Sequence, residues 1–398
     1  MKKISTLVVL LLLAGSFCFA QKRHPVLVDY HKIVAGDEQT QAYFPLLKGK
    51  KVAVLANQSA ILGKTHLVDS LLSSGIRVVK IFSPEHGFRG NKSAGAHIKN
   101  GTDVQTGLPI VSLYGKHRKP TPEDLKGVEV VLFDLQDVGT RFYTYISTMS
   151  LMMEACAEQH IPMIVLDRPN PNGFYVDGPV LKPEFKSFVG MHPVPVVYGM
   201  TIGEYARMVN GEHWLKNGVQ CNLTVIPMKK YRRNMIMKLP VKPSPNLPDW
   251  QAVYLYPSLC FLEGTVVSVG RGTDKPFQIY GYPGMKGDYV FTPRSIPGAS
   301  LHPKLQGKTC RGEDLTAFAE NYRHNPPRIE LKWLLSAYRQ LKAMGVHPFF
   351  RGSFDRLAGT DSLRLQIEKG YSEKQIRQSW QKDLEKFKKI REKYLLYR

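Results

Sequence analysis

A Glu-His pair stands at the end of a run of β-forming residues. The stretch from Ile81 to Gly90 reads IFSPEHGFRG, so Glu85 and His86 lie in a short loop between a proline and a glycine. A glutamate held in such a loop is a candidate general acid, and the adjacent imidazole can orient its carboxyl group or bind a hydroxyl. The alternatives are a loop salt bridge between Glu85 and Arg89, and a histidine that only satisfies a turn.

Other polar side chains follow neighbouring runs of β-forming residues. The predicted strands are Lys51–Ala56, Ile76–Phe82, Leu108–Tyr114, Val128–Leu135 and Ile161–Leu166. Helical patterns lie between several of these runs, and the runs are apolar without alternation, which predicts a doubly wound, mostly parallel α/β sheet. Ligands bind such sheets beyond the carboxyl ends of the strands. The polar residues at those ends are Asn57, Gln58, Glu85, His86, Tyr114, Asp134, Gln136, Asp137, Asp167 and Arg168.

Carboxylates are the main candidate catalytic groups at the carboxyl ends of these predicted strands. No glycine-rich phosphate cradle follows the first strand and no G-x-S-x-G sequence occurs, which disfavours a nucleotide cofactor and a serine nucleophile. No HExxH-type spacing supports a metal centre, so neither a metal nor a cofactor is predicted. Two carboxylates suffice for glycoside hydrolysis. Glu85 is the predicted acid and Asp137 a candidate second group, while Asp134 is expected to be structural.

Residues suited to sugar binding surround these carboxylates. Arg141, Tyr143 and Tyr145 closely follow Asp137, and Asn57 lies at the same edge. Aromatic faces stack on sugar rings, and guanidinium groups bind carboxylates. We therefore predict substrate contacts here, with burial of the aromatic rings in the core as the alternative.

The second half of the chain contributes a further acid and base. Glu263 precedes a predicted strand, and Arg271 stands in a Gly-Arg-Gly turn. Both suit the lining of a cleft, and an ordinary ion pair is the alternative. The same choice holds for Asp167 and Arg168, which are either a binding pair or an internal ion pair.

The first twenty residues have the pattern of a secretory leader. Two lysines precede an apolar run, and residues 1–20 end in Cys18-Phe19-Ala20 before Gln21. This pattern predicts a cleavable signal peptide and a periplasmic or secreted protein with no integral membrane segment afterwards. Lipid attachment at Cys18 is disfavoured because Phe17 precedes it.

A proline-rich stretch separates two predicted domains. The α/β pattern is interrupted at Leu239–Trp250, so we expect a larger α/β domain at residues 21–242 and a smaller α+β domain at residues 243–398. Capping pairs that predict the first turns of helices are Thr201 with Glu204 and Ser372 with Gln375.

The chain is strongly basic. Its formal net charge is +22, and +20 remains without the two lysines of the leader. This charge suits anionic partners. The basic residues are spread out and no nucleic-acid-binding motif is present, so nucleic acid is not expected as a partner. An acidic polymer of the cell envelope remains, and the alternative is a basic surface without a specific partner.

Several longer motifs occur along the chain after the leader. They are SPEHGFRG (83–90), DLQDVGTRFYTY (134–145), LDRPNPNG (166–173), VDGPVL (176–181), SFVGMHPVPVVYGMTIGE (187–204), SPNLP (244–248) and EGTVVSVGRGTDKPF (263–277). Taken together and in this order, they resemble the NamZ-type exo-β-N-acetylmuramidase family, formerly a domain of unknown function. The resemblance covers essentially the whole chain after the leader.

The resemblance implies release of N-acetylmuramic acid from the non-reducing ends of peptidoglycan fragments. It also implies a Rossmann-like N-terminal domain and a smaller C-terminal domain that together form the cleft. Glu85 matches the family's candidate acid, and His86 its neighbour. Asp177 stands where relatives are expected to have glutamate, which keeps an acid with shorter reach as a catalytic candidate. The lactyl carboxylate of the substrate needs a cation, and the candidates are Arg141, Arg168 and Arg271.

Two other functions remain open at this stage. One is a metal-dependent envelope hydrolase that uses Glu85, His86, Asp137 and Asp167. The other is a non-catalytic peptidoglycan-binding protein whose affinity comes from its basic surface.

Overall fold

The computed structural model describes residues 25–85, 87–89 and 100–397. The predicted leader and His86 lie outside these residues, so their expected roles stay predictions. The strands, in chain order, are β1 (Val26–Asp29), β2 (Val52–Ala56), β3 (Ile61–Leu62), β4 (Thr65–His66), β5 (Val78–Ser83), β6 (Gly101–Thr102), β7 (Pro109–Ser112), β8 (Val130–Asp134), β9 (Met163–Leu166), β10 (Asp177–Val180), β11 (Pro195–Val197), β12 (Leu223–Ile226), β13 (Met235–Lys238), β14 (Ile279–Tyr282), β15 (Tyr289–Phe291) and β16 (Cys310–Asp314). The helices are α1 (Thr40–Leu47), α2 (Leu67–Ser73), α3 (Tyr145–Glu158), α4 (Ile202–Gly211), α5 (Trp250–Glu263), α6 (Thr316–Glu320), α7 (Lys332–Ala343), α8 (Phe354–Ala358), α9 (Ser362–Glu368) and α10 (Glu373–Glu392).

The described residues form a central sheet with the strand order β12-β9-β8-β2-β5-β7-β6. All neighbours in this sheet are parallel except the short edge strand β6, which runs antiparallel to β7. Every residue of β2 and β8 is buried, which explains why the sequence shows apolar runs without alternation. The predicted α/β sheet is confirmed.

Side chains of the sheet alternate between two apolar clusters, one on each face. Val54 and Leu132 pack in one cluster, while Leu55 and Phe133 pack in the other. The second cluster continues into the C-terminal part of the chain, where it includes Trp380. The two parts therefore share a core beneath the site.

The C-terminal part is smaller and mixed, as predicted. It contains an antiparallel sheet of order β14-β16-β15, together with helices α5 to α10. The predicted division between residues 242 and 243 falls in the segment between β13 and α5. None of the helices in the described ranges is long and apolar enough to cross a membrane.

Both predicted capping pairs are confirmed. Thr201 and Glu204 form reciprocal side-chain to backbone hydrogen bonds at the start of α4, and Ser372 and Gln375 do so at the start of α10. The final helix packs on β10 through its apolar face. The residues it buries there are Ile376, Trp380, Leu384 and Phe387.

Candidate active site

Glu85 lies at the carboxyl edge of the central sheet, two residues after the end of β5. The N–H of Leu113 donates to the carbonyl of Ser83 at 2.8 Å, which joins the ends of β5 and β7. Gly87 then turns the chain with φ +79°, a left-handed conformation that favours glycine. Arg89, the partner of Glu85 in the alternative interpretation, is bound by two other carboxylates, those of Asp69 and Asp103.

Two hydroxyl groups meet the Glu85 carboxyl. The side chain of Tyr114, which follows β7, lies beside it and interacts with its charge. Thr144 places its Oγ1 3.5 Å from Oε2 of Glu85 and is also the N-cap of α3. Burial, and after it the adjacent Glu85 charge, raise the pKa of Tyr114, so its phenol stays protonated.

A cation approaches the same tyrosine from the C-terminal part. The charges of Arg118 and Arg271 both act on Tyr114 and oppose the rise of its pKa. Arg271 donates from Nε to Oε2 of Glu263 at 2.8 Å, and its guanidinium lies 4.9 Å from the centre of the Phe277 ring. Glu85, Tyr114 and Arg271 therefore lie near one another where the two parts of the chain meet, and we call the region around these three residues the cleft.

Two guanidinium nitrogens of Arg271 are not bound by any described residue. Within the described part of the chain, Glu263 takes up Nε, which leaves the two terminal nitrogens for a ligand. About a quarter of each side chain is exposed, 26% for Arg271 and 25% for Glu263. The Glu263–Arg271 ion pair of the alternative interpretation is thus present. It orients Arg271 without using all of its N–H donors.

The glycines on either side of Arg271 are required by the fold. Gly270 and Gly272 have φ values of +77° and +80°. A β-carbon on Gly270 would lie 2.7 Å from the carbonyl oxygen of Lys275, and one on Gly272 would lie 2.4 Å from that of Arg294. The chain therefore passes too close to neighbouring backbone for any other residue, and the position of Arg271 is fixed by this tight turn.

Arg141 is placed elsewhere. Its side chain is fully buried and donates to the carbonyl oxygens of Pro179 and Val194, each at 2.8 Å. It also donates to those of Leu357 at 3.0 Å and Ala358 at 2.7 Å. These contacts tie the two parts of the chain together and occupy both terminal nitrogens, so they give no support to the substrate contact predicted for Arg141.

Arg168 is also an internal residue. Its Nε and one terminal nitrogen bind Asp134 at 2.6 and 2.8 Å, and that same terminal nitrogen binds Asp37 at 2.8 Å. The side chain is 3% exposed. Arg168 therefore forms a buried ion-pair network, but with Asp134 and Asp37 rather than with Asp167, the partner in the alternative interpretation. Asp134 is the structural acid that was expected.

Asn57, Tyr143 and Tyr145 form a layer beneath the cleft. Asn57 donates to the hydroxyl of Tyr145 at 2.7 Å, and Tyr143 donates to the carbonyl of Pro243 at 2.6 Å. The two tyrosine rings pack edge to face with centres 4.7 Å apart and are buried. Buried rings offer no face for stacking on a sugar, so these three residues support the site rather than line it.

Asp137 is buried below the same layer. One of its carboxylate oxygens accepts hydrogen bonds from Tyr198 and from the N–H of Gly139, and the other has no partner among the described residues. Burial raises the pKa of Asp137 to about 6, although these hydrogen bonds oppose the rise. A direct catalytic role for Asp137 gains no support from this position.

Asp177 is bound by the C-terminal part of the chain. Its carboxylate accepts from the N–H of Ile329 at 2.8 Å and from Arg377 at 2.9 Å. It also accepts from the N–H of Gly178 at 2.8 Å. This full set of partners anchors α10 against β10, and it does not bring Asp177 to the cleft of Glu85.

The carboxylates of the metal alternative are held apart by their partners. Asp167 accepts hydrogen bonds from Thr201, from the N–H of Gly203 and from Tyr397, none of which contacts Asp137 or Glu85. Within the described ranges, no group of three or more His, Cys, Asp or Glu side chains is arranged to hold a metal ion.

Sequence reasoning overlooked the two hydroxyl groups on Glu85. Tyr114 was noticed only as a strand-end residue, and Thr144 was not singled out at all. The available signal was positional, because Tyr114 follows the strand beside β5 and Thr144 opens the helix after β8.

Comparisons with known proteins agree with this architecture. Residues 52–251 match the family model described as Exo-beta-N-acetylmuramidase NamZ, N-terminal, and residues 254–397 match its C-terminal counterpart. The chain is 42% identical over 379 residues to Peptidoglycan beta-N-acetylmuramidase NamZ from Bacillus subtilis (strain 168), covering 89% of both chains.

Solved structures give the same result. A crystal structure of a DUF1343 family protein from Bacteroides fragilis is 48% identical, with a TM-score of 0.83 over 92% of this chain and 99% of the other. A second one from the same organism is 29% identical, with a TM-score of 0.78 and the same coverage. The two family models together span nearly all of the described residues, and the chain belongs to the NamZ exo-β-N-acetylmuramidase family.

Proposed function

We propose that this protein is an exported exo-acting glycoside hydrolase that releases N-acetylmuramic acid from the non-reducing ends of peptidoglycan fragments. The observation that carries the proposal is Glu85 at the carboxyl edge of the sheet, with the Thr144 hydroxyl 3.5 Å from its carboxyl group and Tyr114 and Arg271 nearby. Membership of the NamZ family and the likeness to the Bacillus subtilis peptidoglycan β-N-acetylmuramidase support the same reaction.

Glu85 is the proton donor in this proposal. Its carboxylic acid gives a proton to the glycosidic oxygen as the bond to the anomeric carbon breaks, and the leaving sugar departs as an alcohol. The carboxylate that remains can accept from the hydroxyl group of Thr144, 3.5 Å away, and faces the protonated phenol of Tyr114. A water molecule completes the hydrolysis at the anomeric carbon.

Arg271 recognises the acidic part of the substrate. N-acetylmuramic acid differs from N-acetylglucosamine by a lactyl ether that carries a carboxylate. Of the three arginines named as candidates, Arg141 and Arg168 are buried and bind protein groups. Arg271 keeps two terminal nitrogens for a bidentate pair with that carboxylate.

The proposal is tested with a chromogenic N-acetylmuraminide. We expect release by the wild type and a fall in kcat of about 10² to 10⁴-fold in Glu85→Gln, because the amide has the shape of the acid but no proton to give. Glu123→Gln is the matched control, since the side chain of Glu123 is 81% exposed and remote from the sheet edge.

Two outcomes would contradict the assignment. Undiminished release by Glu85→Gln would remove Glu85 as the acid. Binding of peptidoglycan fragments by a wild type that releases nothing would instead indicate the non-catalytic binding function, with an affinity that falls strongly as salt is added. N-terminal sequencing of the mature protein from the periplasm or medium, expected to begin at Gln21, tests the proposed export.

A further inference from the structure

We infer that Lys304 is a positioning residue for substrate binding: its ammonium group holds the end of α5 and thereby fixes the Glu263–Arg271 pair in the cleft. The inference rests on the proposed function and adds a residue that neither the motifs nor the family resemblance singled out. It lies more than thirty residues beyond the GRG turn in the sequence.

Lys304 donates to an unusual number of backbone carbonyls. Its Nζ lies 3.1 Å from the oxygen of Leu262 and 3.2 Å from that of Glu263. It lies 2.7 Å from the oxygen of Thr265 and 2.8 Å from that of Val267. The first two belong to the last turn of α5, whose carbonyls lack partners inside the helix and favour a positive charge.

The residue held by Lys304 is also the one that presents Arg271. The backbone oxygen of Glu263 accepts from Lys304, while its carboxylate accepts from Nε of Arg271. The next carbonyl, that of Gly264, accepts from the N–H of Arg351 at 2.8 Å. Movement of this turn would therefore displace the Glu263 carboxylate and the guanidinium that depends on it.

The charges around Lys304 are unbalanced. The groups that act on it are Glu263 and Cys260 from α5, Arg271 from the GRG turn, and Arg351 from the chain before α8. Three cations thus accompany one carboxylate among these described groups. Such an excess stabilises an anionic group brought by the substrate.

This surrounding also makes the ammonium sensitive to pH. Burial lowers the pKa of Lys304 to about 8, and Arg351 and Arg271 act in the same direction, against Glu263. Deprotonation leaves two N–H donors for four carbonyls and removes one positive charge. We therefore expect substrate binding to weaken as pH rises through about 8.

The test compares two substrates that differ only in charge. One is a chromogenic N-acetylmuraminide, and the other is its lactyl amide, which lacks the carboxylate. We expect Lys304→Met to raise KM for the acid about tenfold and KM for the amide much less. Lys304→Arg keeps its charge above pH 8, so it should extend the activity on the acid to higher pH.

The control is a lysine of similar exposure away from the cleft. Lys119 binds Glu154 and Glu158 and is 28% exposed. Lys119→Met should leave the ratio of KM values and the alkaline limit unchanged. If Lys304→Met affected both substrates equally and Lys304→Arg left the alkaline limit in place, Lys304 would be merely structural and the inference would be overturned.

Failure of the inference can be told from failure of the proposed function. A wild type that hydrolyses neither substrate contradicts the function. In that case, calorimetric binding of N-acetylmuramic acid and of N-acetylglucosamine still tests the inference, because Lys304 should strengthen only the former. If Lys304→Met does not fold, the alkaline limit of Lys304→Arg decides the matter.

Discussion

Glu85 and Arg271 reach one cleft from distant parts of the chain, and each is held by a partner with a different task. Thr144 and Tyr114 place their hydroxyl groups beside the Glu85 carboxyl, whereas Glu263 takes one nitrogen of Arg271 and leaves the others for a ligand. Proton donation and anion recognition are thus assigned to separate side chains. A change at either residue should affect a different kinetic constant.

Arg271→Met is expected to raise KM for an N-acetylmuraminide by about ten- to a hundredfold with little change in kcat, because the charge is lost from ground state and transition state alike. Steady-state kinetics measure both constants. Arg294→Met is the matched control, since Arg294 is an exposed arginine near the same turn. An unchanged KM in the Arg271 variant would show that another group binds the carboxylate.

Asp137 should give stability a pH dependence. Its folded pKa of about 6 lies above the unfolded value, so its contribution is fully present below about pH 4 and is lost as pH rises through 6. The free energy of unfolding of the wild type should therefore fall between pH 4 and 7 as Asp137 ionises. In Asp137→Asn this fall should be smaller by about 2 kcal/mol. The new amide nitrogen can occupy the place of the oxygen that lacks a partner.

Urea unfolding at several pH values measures this difference. Asp383→Asn serves as the control, because the side chain of Asp383 is 55% exposed and lies on the outer surface of α10. Equal pH dependence in wild type and Asp137→Asn would contradict the prediction.

At the scale of elements, the site is built from the ends of regular structure. Glu85 follows β5, Tyr114 follows β7 and Thr144 caps α3. The ends of two strands and the start of one helix therefore converge on the Glu85 carboxyl group. The side of the cleft that carries Arg271 depends on the C-terminal end of α5 and on the Gly-Arg-Gly turn after it. Ends of elements expose unpaired backbone groups, which is why polar side chains gather there.

Gly272→Ala should impair substrate binding by displacing the backbone of the turn that carries Arg271, without removing any side chain. The added β-carbon would lie 2.4 Å from the carbonyl oxygen of Arg294, so the turn that carries Arg271 must move. We expect a rise in KM for the N-acetylmuraminide of about tenfold or more. Gly307→Ala isolates the effect, since Gly307 has a similar φ of +74° but nothing within 4 Å of a new β-carbon. Equal kinetics for the two variants would rule out this role of the turn.

For the whole molecule, the decisive feature is that two parts of the chain share buried polar contacts as well as an apolar core. Arg141 joins Pro179 and Val194 to Leu357 and Ala358, and Asp177 accepts from the C-terminal helix. The wall that carries Arg271 is therefore held firmly against the wall that carries Glu85. Such a cleft is preorganised for its substrate.

Arg141→Met should lower the free energy of unfolding by about 2 to 4 kcal/mol, because it leaves buried carbonyls without donors. Chemical denaturation measures this loss, and Arg339→Met, a change at an exposed arginine of α7, should have little effect. A marginal loss for Arg141→Met would show that the apolar core alone holds the two parts together.

The sequence by itself determined the elements and the edge where the chemistry lies. Unbroken apolar runs required buried parallel strands, capping pairs marked two helix starts, and the strand-end rule placed Glu85 at the ligand edge. Local rules of this kind depend on neighbouring residues, which the sequence shows directly. The motifs, in their order, also identified the family.

Only the tertiary structure decided which polar residues are available to a ligand. Arg141, Arg168 and Arg271 look alike in the sequence. The first two are nevertheless buried, and their guanidinium groups bind protein groups instead of a ligand. Lys304 carried no sequence signal, because its four acceptors are backbone carbonyls of residues far away in the chain. The physical reason is that burial and long-range hydrogen bonds, unlike strand and helix patterns, depend on contacts that form only when the chain has folded.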